Sequence, residues 1–165
     1  MKRRILIGIF AALFCVGIFM ALNREPSVSA GVLSVVIGNT ETPINGFEVA
    51  TLHNGKLEEK SKDFDVKSIA GDCVAFEQTV KKNNGKQTVT RTTDMSVAYS
   101  GRYCNDIKYT VYDLDGKDIT ENKSTLSLPT KDIEGCVIKV DVKWGRDKNY
   151  KEYYYFFRIN YIKSE

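Results

Sequence analysis

The chain has 165 residues, with 24 Lys and Arg against 21 Asp and Glu, and one His. Lys2, Arg3, Arg4, Arg24 and Glu25 give residues 1–30 a net +3, the formal charge of the whole chain, so residues 31–165 are electrically balanced. Phosphate binding needs clustered basic charge on the folded part, so this distribution argues against nucleic acid as a partner. One His and four Cys argue in the same way against a His-based metal centre or a Ser-His-Asp triad.

Lys2, Arg3 and Arg4 precede an unbroken apolar run, Ile5–Leu22, of 18 residues. Basic residues ahead of an apolar stretch form an export signal and hold the N-terminus inside. The run falls between the lengths of a signal core and a spanning helix. Two outcomes stay open: cleavage near Ala30, after the small residues of Val28-Ser29-Ala30, or a retained single-pass anchor through residues 5–22 in the membrane. Bulky Phe14 ahead of Cys15 argues against lipidation. Residues 1–30 are thus an export or anchor helix, and residues 31–165 an extracytoplasmic domain.

That domain holds 34 Val, Ile and Thr, only 10 Leu and Ala, and all nine Tyr. β-Branched and aromatic residues fit a pleated, half-buried surface, so the composition predicts an all-β fold. Asn45-Gly46, Asn54-Gly55, Asn84-Gly85 and Asp115-Gly116 have the form that two-residue hairpins prefer, and Glu134-Gly135 marks a further turn. In chain order the predicted strands are Val32–Ile37, Phe47–Leu52 and Phe64–Ile69. Cys73–Lys82 and Lys86–Thr93 follow, flanking Asn84-Gly85 with Val80 facing Val89 and Phe76 facing Thr93. Met95–Tyr99 either continues that strand or begins another. Ile107, Tyr109 and Val111 alternate with Lys108, Thr110 and Tyr112. Asp115-Gly116 returns the chain into Lys117–Thr120, and Leu126 and Leu128 mark a short strand ended by Pro129.

The last two strands have the clearest period of two. Cys136, Ile138, Val140, Val142 and Trp144 share one face, as do Tyr153, Tyr155, Phe157, Ile159 and Tyr161. A four-residue loop Arg146–Asn149 pairs Val142 with Tyr153, Val140 with Tyr155 and Ile138 with Phe157. It also sets Lys143 opposite Glu152, and a one-residue slip would turn Glu152 toward the core. This many short strands without a long helical pattern predict an antiparallel β-sandwich, with a barrel as the alternative. The pair Val137–Trp144 with Tyr153–Tyr161 resembles the closing hairpin of immunoglobulin-like domains in exported proteins of Gram-positive bacteria. Tyr109–Gly116 resembles the inner strands of such domains. The resemblance covers about the last 60 residues, rests on patterning, and lacks the antibody Cys…Trp…Cys order, since Trp144 follows every cysteine. It implies adhesion, ligand-binding or accessory roles, among which fold alone does not choose.

Cys73, Cys104 and Cys136 are an odd number, so at most one disulfide forms among them. Their spacing matches no metal-ligand pattern. Asp113, Asp115 and Asp118 suggest a calcium loop, but Gly116 comes too early for one and a hairpin turn suffices. Asn122-Lys123-Ser124 is a formal glycosylation sequon in a chain of bacterial style, read as an ordinary loop. Two stretches stand out as ligand-binding candidates. Tyr99, Arg102, Tyr103 and Asn105 gather in one inter-strand loop, and such residues supply rigid aromatic contact and adaptable hydrogen bonds. The five aromatics Tyr153–Phe157 place Tyr154 and Phe156 on the face away from the core. There they form an apolar patch unless a loop or the Val32–Ile37 strand covers them. No catalytic set, metal or cofactor emerges. The expectation is a non-enzymatic, secreted or membrane-tethered module that binds a protein or cell-envelope ligand. The alternative is a secreted protease inhibitor presenting Ser100–Asn105. A hydrolase built on Asp113 and Asp115 would need a pocket and shifted pKa values, and the sequence shows neither.

Overall fold

The structure is a computed structural model describing residues 28–60, 63–82, 89–91, 94–101, 104–129, 134–146 and 148–163, with backbone alone at 81, 82, 89–91 and 163. Among these residues ten strands and one short helix follow in the order β1 (Val32–Ile37), β2 (Thr40–Ile44), β3 (Gly46–His53), β4 (Lys56–Glu59), α1 (Val66–Asp72), β5 (Val74–Lys82), β6 (Val89–Arg91), β7 (Met95–Ser100), β8 (Cys104–Asp113), β9 (Gly135–Arg146) and β10 (Asn149–Lys163). The leader before Val28, Arg102 and Tyr103, and the Asn84-Gly85 turn lie outside the described residues. Among the described residues no helix is long and apolar enough to cross a membrane.

The strands form a three-stranded sheet, β2-β1-β7, and a seven-stranded sheet. The larger sheet is organised by β9 and β10. Their pairing joins Val142 to Tyr153, Val140 to Tyr155, Ile138 to Phe157 and Lys143 to Glu152, the register argued from the sequence. β8 adds to the far edge of β9. The free edge of β10 is shared: β3 pairs with its first half and β5 with its second. β10 and β5 run parallel, so the sheet is mixed and not antiparallel throughout. Parallel neighbours need a long crossover, here supplied by the whole chain from β5 to β10.

One core lies between the two sheets. Leu33, Val35 and Ile44 from the small sheet meet Tyr109, Val111, Cys136, Ile138, Val140, Val142, Trp144, Tyr155, Phe157 and Ile159 from the large one. Trp144 is fully buried, and its Nε1 donates to the Tyr155 hydroxyl at 3.1 Å. A buried indole N–H left unpaired costs more than the bond contributes, so this pair fixes both rings. Gly46 lies against the same tyrosine: a Cβ there would fall 2.5 Å from the Tyr155 ring.

Several local expectations change. Phe64–Ile69 is not a strand. Asp65 caps α1 by accepting from the Lys67 backbone N–H at 3.1 Å, and Val66, Ile69 and Ala70 share a helical face toward the large sheet. An Asp cap followed by apolar residues three and four apart outweighs the short Phe64–Val66 alternation. Asn45-Gly46 is no hairpin; the chain there passes from β2 in one sheet to β3 in the other. Val80 pairs with Arg91 instead of Val89, a register two residues on from the one expected. Met95–Ser100 is a separate strand that joins β1 in the small sheet. Leu126–Leu128 forms no ladder, though Leu128 is buried. Asn54-Gly55 does form the expected tight turn, with φ of 51° and 74°. Asp115-Gly116 also turns the chain: the Asp113 carboxylate accepts from the Asp115 and Lys117 backbone N–H groups, and Lys117–Thr120 runs back along β8.

The three described cysteines are thiols. Cys104 lies opposite Trp144 on β9, whereas Cys136 is eight residues along that strand, about 26 Å away. Cys73 packs on the outer face of the large sheet and Cys136 on the inner one. Disulfide geometry needs Cα atoms within about 7 Å, so the bridge weighed from the sequence does not form between Cys104 and Cys136.

Two substitutions check this account by denaturant unfolding. Tyr155→Phe leaves the buried Trp144 N–H without its acceptor and is expected to destabilise by about 1–3 kcal/mol. Gly71→Ala, in α1 with no atom within 4 Å of the added Cβ, is expected to stabilise by about 0.5–1 kcal/mol.

Candidate functional site

The outer face of the large sheet is incompletely covered. α1 crosses it and buries Val66 and Ala70 against Val137 and Phe156. Phe64 leads into the helix and meets Tyr112, Tyr154 and Phe156 at ring-centroid distances of 6.3, 6.0 and 5.1 Å. The sequence-predicted pair is therefore split: Phe156 is 5 % exposed, while Tyr154 is half-buried at the rim. A helix covers this face, not a loop or the first strand.

Two adjoining open clefts remain beside α1. The first, of about 310 Å³, is walled by Phe47, Val49, Phe64, Ile69, Tyr154 and Phe156, with Asp63, Asp65 and Ser68 at its mouth. The second, of about 250 Å³, lies between α1 and β5, beside Asn45, Asp72, Cys73 and Val74, and shares Phe47, Ile69 and Phe156 with the first. Phe47 is 60 % exposed between them, its ring edge-on to Phe156 at 6.2 Å. Sequence reasoning passed over Phe47, Phe64 and Ile69. The helical spacing from Val66 was a signal for Ile69; Phe47 lies in β3 and Phe64 ahead of the helix, outside that pattern.

Below Tyr154 lies Lys139, 8 % exposed, with Nζ 4.0 Å from the Tyr154 ring centroid, 5.1 Å from that of Phe64 and 2.9 Å from Asp141 Oδ1. Two ring faces and a carboxylate replace the water this ammonium gives up. Further along, a polar hollow of about 290 Å³ is lined by Asp106, Lys108, Asp141, Lys143, Tyr150 and Glu152, with charges of both signs. Lys108 pairs with Asp106 at 3.0 Å, and Lys143 lies over the Tyr150 ring at 3.9 Å.

The loop candidates separate. Tyr99 is exposed at the end of β7, edge-on to Trp144 at 6.4 Å. Asn105 uses its side-chain amide to donate to the Gly145 carbonyl, tying β8 to the end of β9. It serves the scaffold at that atom.

A different carboxylate gathers the most donors. Glu48 accepts from Lys60 Nζ at 2.8 Å, Lys151 Nζ at 3.0 Å, the Tyr153 hydroxyl at 2.9 Å and the Thr51 hydroxyl at 3.0 Å. A β-bulge opposite Glu152 and Tyr153 turns it toward them. The Lys60 bond first, and the Lys151, Tyr153 and Thr51 bonds after it, outweigh partial burial and hold the carboxyl at a pKa of about 2. Partial burial first, then the bond to Glu48, pushes the Tyr153 hydroxyl up to about 12. A carboxylate so fully engaged is a poor general base. The thiols are no better as nucleophiles: burial pushes Cys104 up to about 11 and raises Cys73.

Comparison of the chain with family models, curated proteins and solved structures returns no match in any of the three.

Glu48 gives a signed pH dependence. A carboxyl pKa lowered from 4.5 to about 2 in the fold contributes stability above pH 4.5, and that contribution is lost as pH falls toward 2. Lys60 is largely exposed, so solvent screening reduces the effect to about 1–2 kcal/mol. Glu48→Gln is therefore expected to be less stable by that amount at neutral pH and to converge with the wild type near pH 2. Parallel unfolding curves across this range check it.

Proposed function

We propose that the chain is a non-enzymatic, extracytoplasmic binding module that takes an apolar or aromatic group of a protein or cell-envelope ligand into the clefts beside α1. The observation that carries this reading is Phe47, exposed between two aromatic-walled hollows that α1 leaves open. Binding surfaces concentrate rigid aromatics around small apolar recesses with a polar rim, and Asp63, Asp65 and Ser68 supply such a rim here. The immunoglobulin-like reading of the domain is supported by the two sheets that enclose one core. The export reading is supported by the basic residues ahead of Ile5–Leu22. The non-enzymatic reading is supported by the saturated Glu48 carboxylate and the protonated thiols.

The test is affinity capture from cell-envelope extracts with the wild type, Phe47→Asp and Ser68→Arg. Phe47 and Ser68 are exposed, so both variants keep the fold. A ligand retained by the wild type and weakened tenfold or more by Phe47→Asp is expected. A ligand held equally by all three proteins would place binding elsewhere on the domain.

A further inference from the structure

The chain enters the fold at one end of the two-sheet body. Val28 and Ala30 pack against the core. A Cβ on Gly31 would fall 2.2 Å from the Ser100 carbonyl oxygen and 2.6 Å from the Trp144 ring. A Cβ on Gly145 would lie 3.1 Å from the Val28 side chain. Residues 28–31 are thus a strap lodged between β7 and the β9–β10 hairpin. The same end presents Tyr99, 52 % exposed, and the exposed side chains of Arg146 and Lys148. Amphipathic rings and long basic side chains are the groups that anchor at a membrane–water interface.

Chain length sets the distance to the bilayer. The apolar run ends at Leu22 and the strap begins at Val28. The five intervening residues reach at most about 17 Å when fully extended. We propose that this end of the domain is a lipid-facing surface, held on the membrane by Ile5–Leu22 with Tyr99, Arg146 and Lys148 in the headgroup layer. The inference rests on the tethered form of the exported module proposed above. The strap also opposes processing after Ala30. That cut would take Val28 and Ala30 out of the core and leave a charged α-ammonium on Gly31 against the buried indole. β10 marks the opposite end: Ile162, exposed, is twelve residues beyond Tyr150, about 40 Å along the strand.

The full-length chain in vesicles of phosphatidylglycerol and phosphatidylethanolamine, brominated near the glycerol end of the acyl chains, tests the orientation. Tyr99→Trp and Ile162→Trp are compared, with native Trp144 as the common background. The expected result is loss of the added emission of Tyr99→Trp and none for Ile162→Trp. Equal quenching at both positions, or none at Tyr99→Trp in chains that float with the vesicles, overturns the proposal. The intact mass of protein recovered from cells tests the tether separately. A soluble chain beginning at Gly31 would remove the anchored premise itself, whereas a membrane-bound chain that retains Val28 supports it.

Discussion

The register between β9 and β10 is the constraint on which the other elements depend. It runs unbroken from Asn149 opposite Arg146 to Asn160 opposite Gly135. Because side chains alternate along a strand, this single alignment decides which aromatics face inward. It sends Tyr155 and Phe157 into the core and Phe156 to the outer face, and it brings the Tyr155 hydroxyl to the Trp144 indole. β3 and β5 then share the remaining edge of β10, one antiparallel and one parallel. The small sheet closes over the inner face that results. A slip of one residue would take the inner aromatics out of the core and bring Glu152 in.

The outer face follows a different logic. The large sheet is wide, and α1 has only seven residues. It shields Val137 and Phe156 and leaves Asp141 and Lys143 beyond its reach, where the surface becomes polar. The transition is made by Lys139, whose ammonium lies against the Tyr154 and Phe64 rings and is met by Asp141. Partial coverage, and not any special pocket architecture, produces the recesses around Phe47.

Much of the inner face was legible because nine or more residues of strict alternation admit one reading. Cys136 to Trp144 and Tyr153 to Tyr161 were of this kind, and the ion-pair position of Glu152 chose their register. Three regions were not legible. Phe64–Ile69 alternates for too few residues to exclude a helix, and only the Asp65 cap and the Val66–Ile69–Ala70 spacing tell the two apart. The Asn45-Gly46 pair has the composition of a hairpin turn, yet its Gly is required by the Tyr155 ring, a neighbour 109 residues away. The Glu48 cluster depends on a bulge and on donors more than 100 residues distant, at Lys151 and Tyr153. Local sequence carries no sign of such contacts. The recesses beside α1 were missed for the same reason, since their walls come from β3, α1 and β10 at once.

The shared edge of β10 also has a consequence for how the chain assembles in time. Leu52 waits for Tyr150, and Val74 waits for Phe157. A polypeptide that emerges N-terminus first therefore presents β3, β4, α1, β5 and β6 before the strand that seats them exists. Among the described strands, β1 with β2, β3 with β4, and β5 with β6 can pair locally in that interval. The turn beyond Arg146 acts as a late clasp: once β9 and β10 zip together, both ends of the waiting chain gain an edge in one step. Contacts so distant in sequence make for slow, concerted closure, and they keep the chain open until its last strand has arrived.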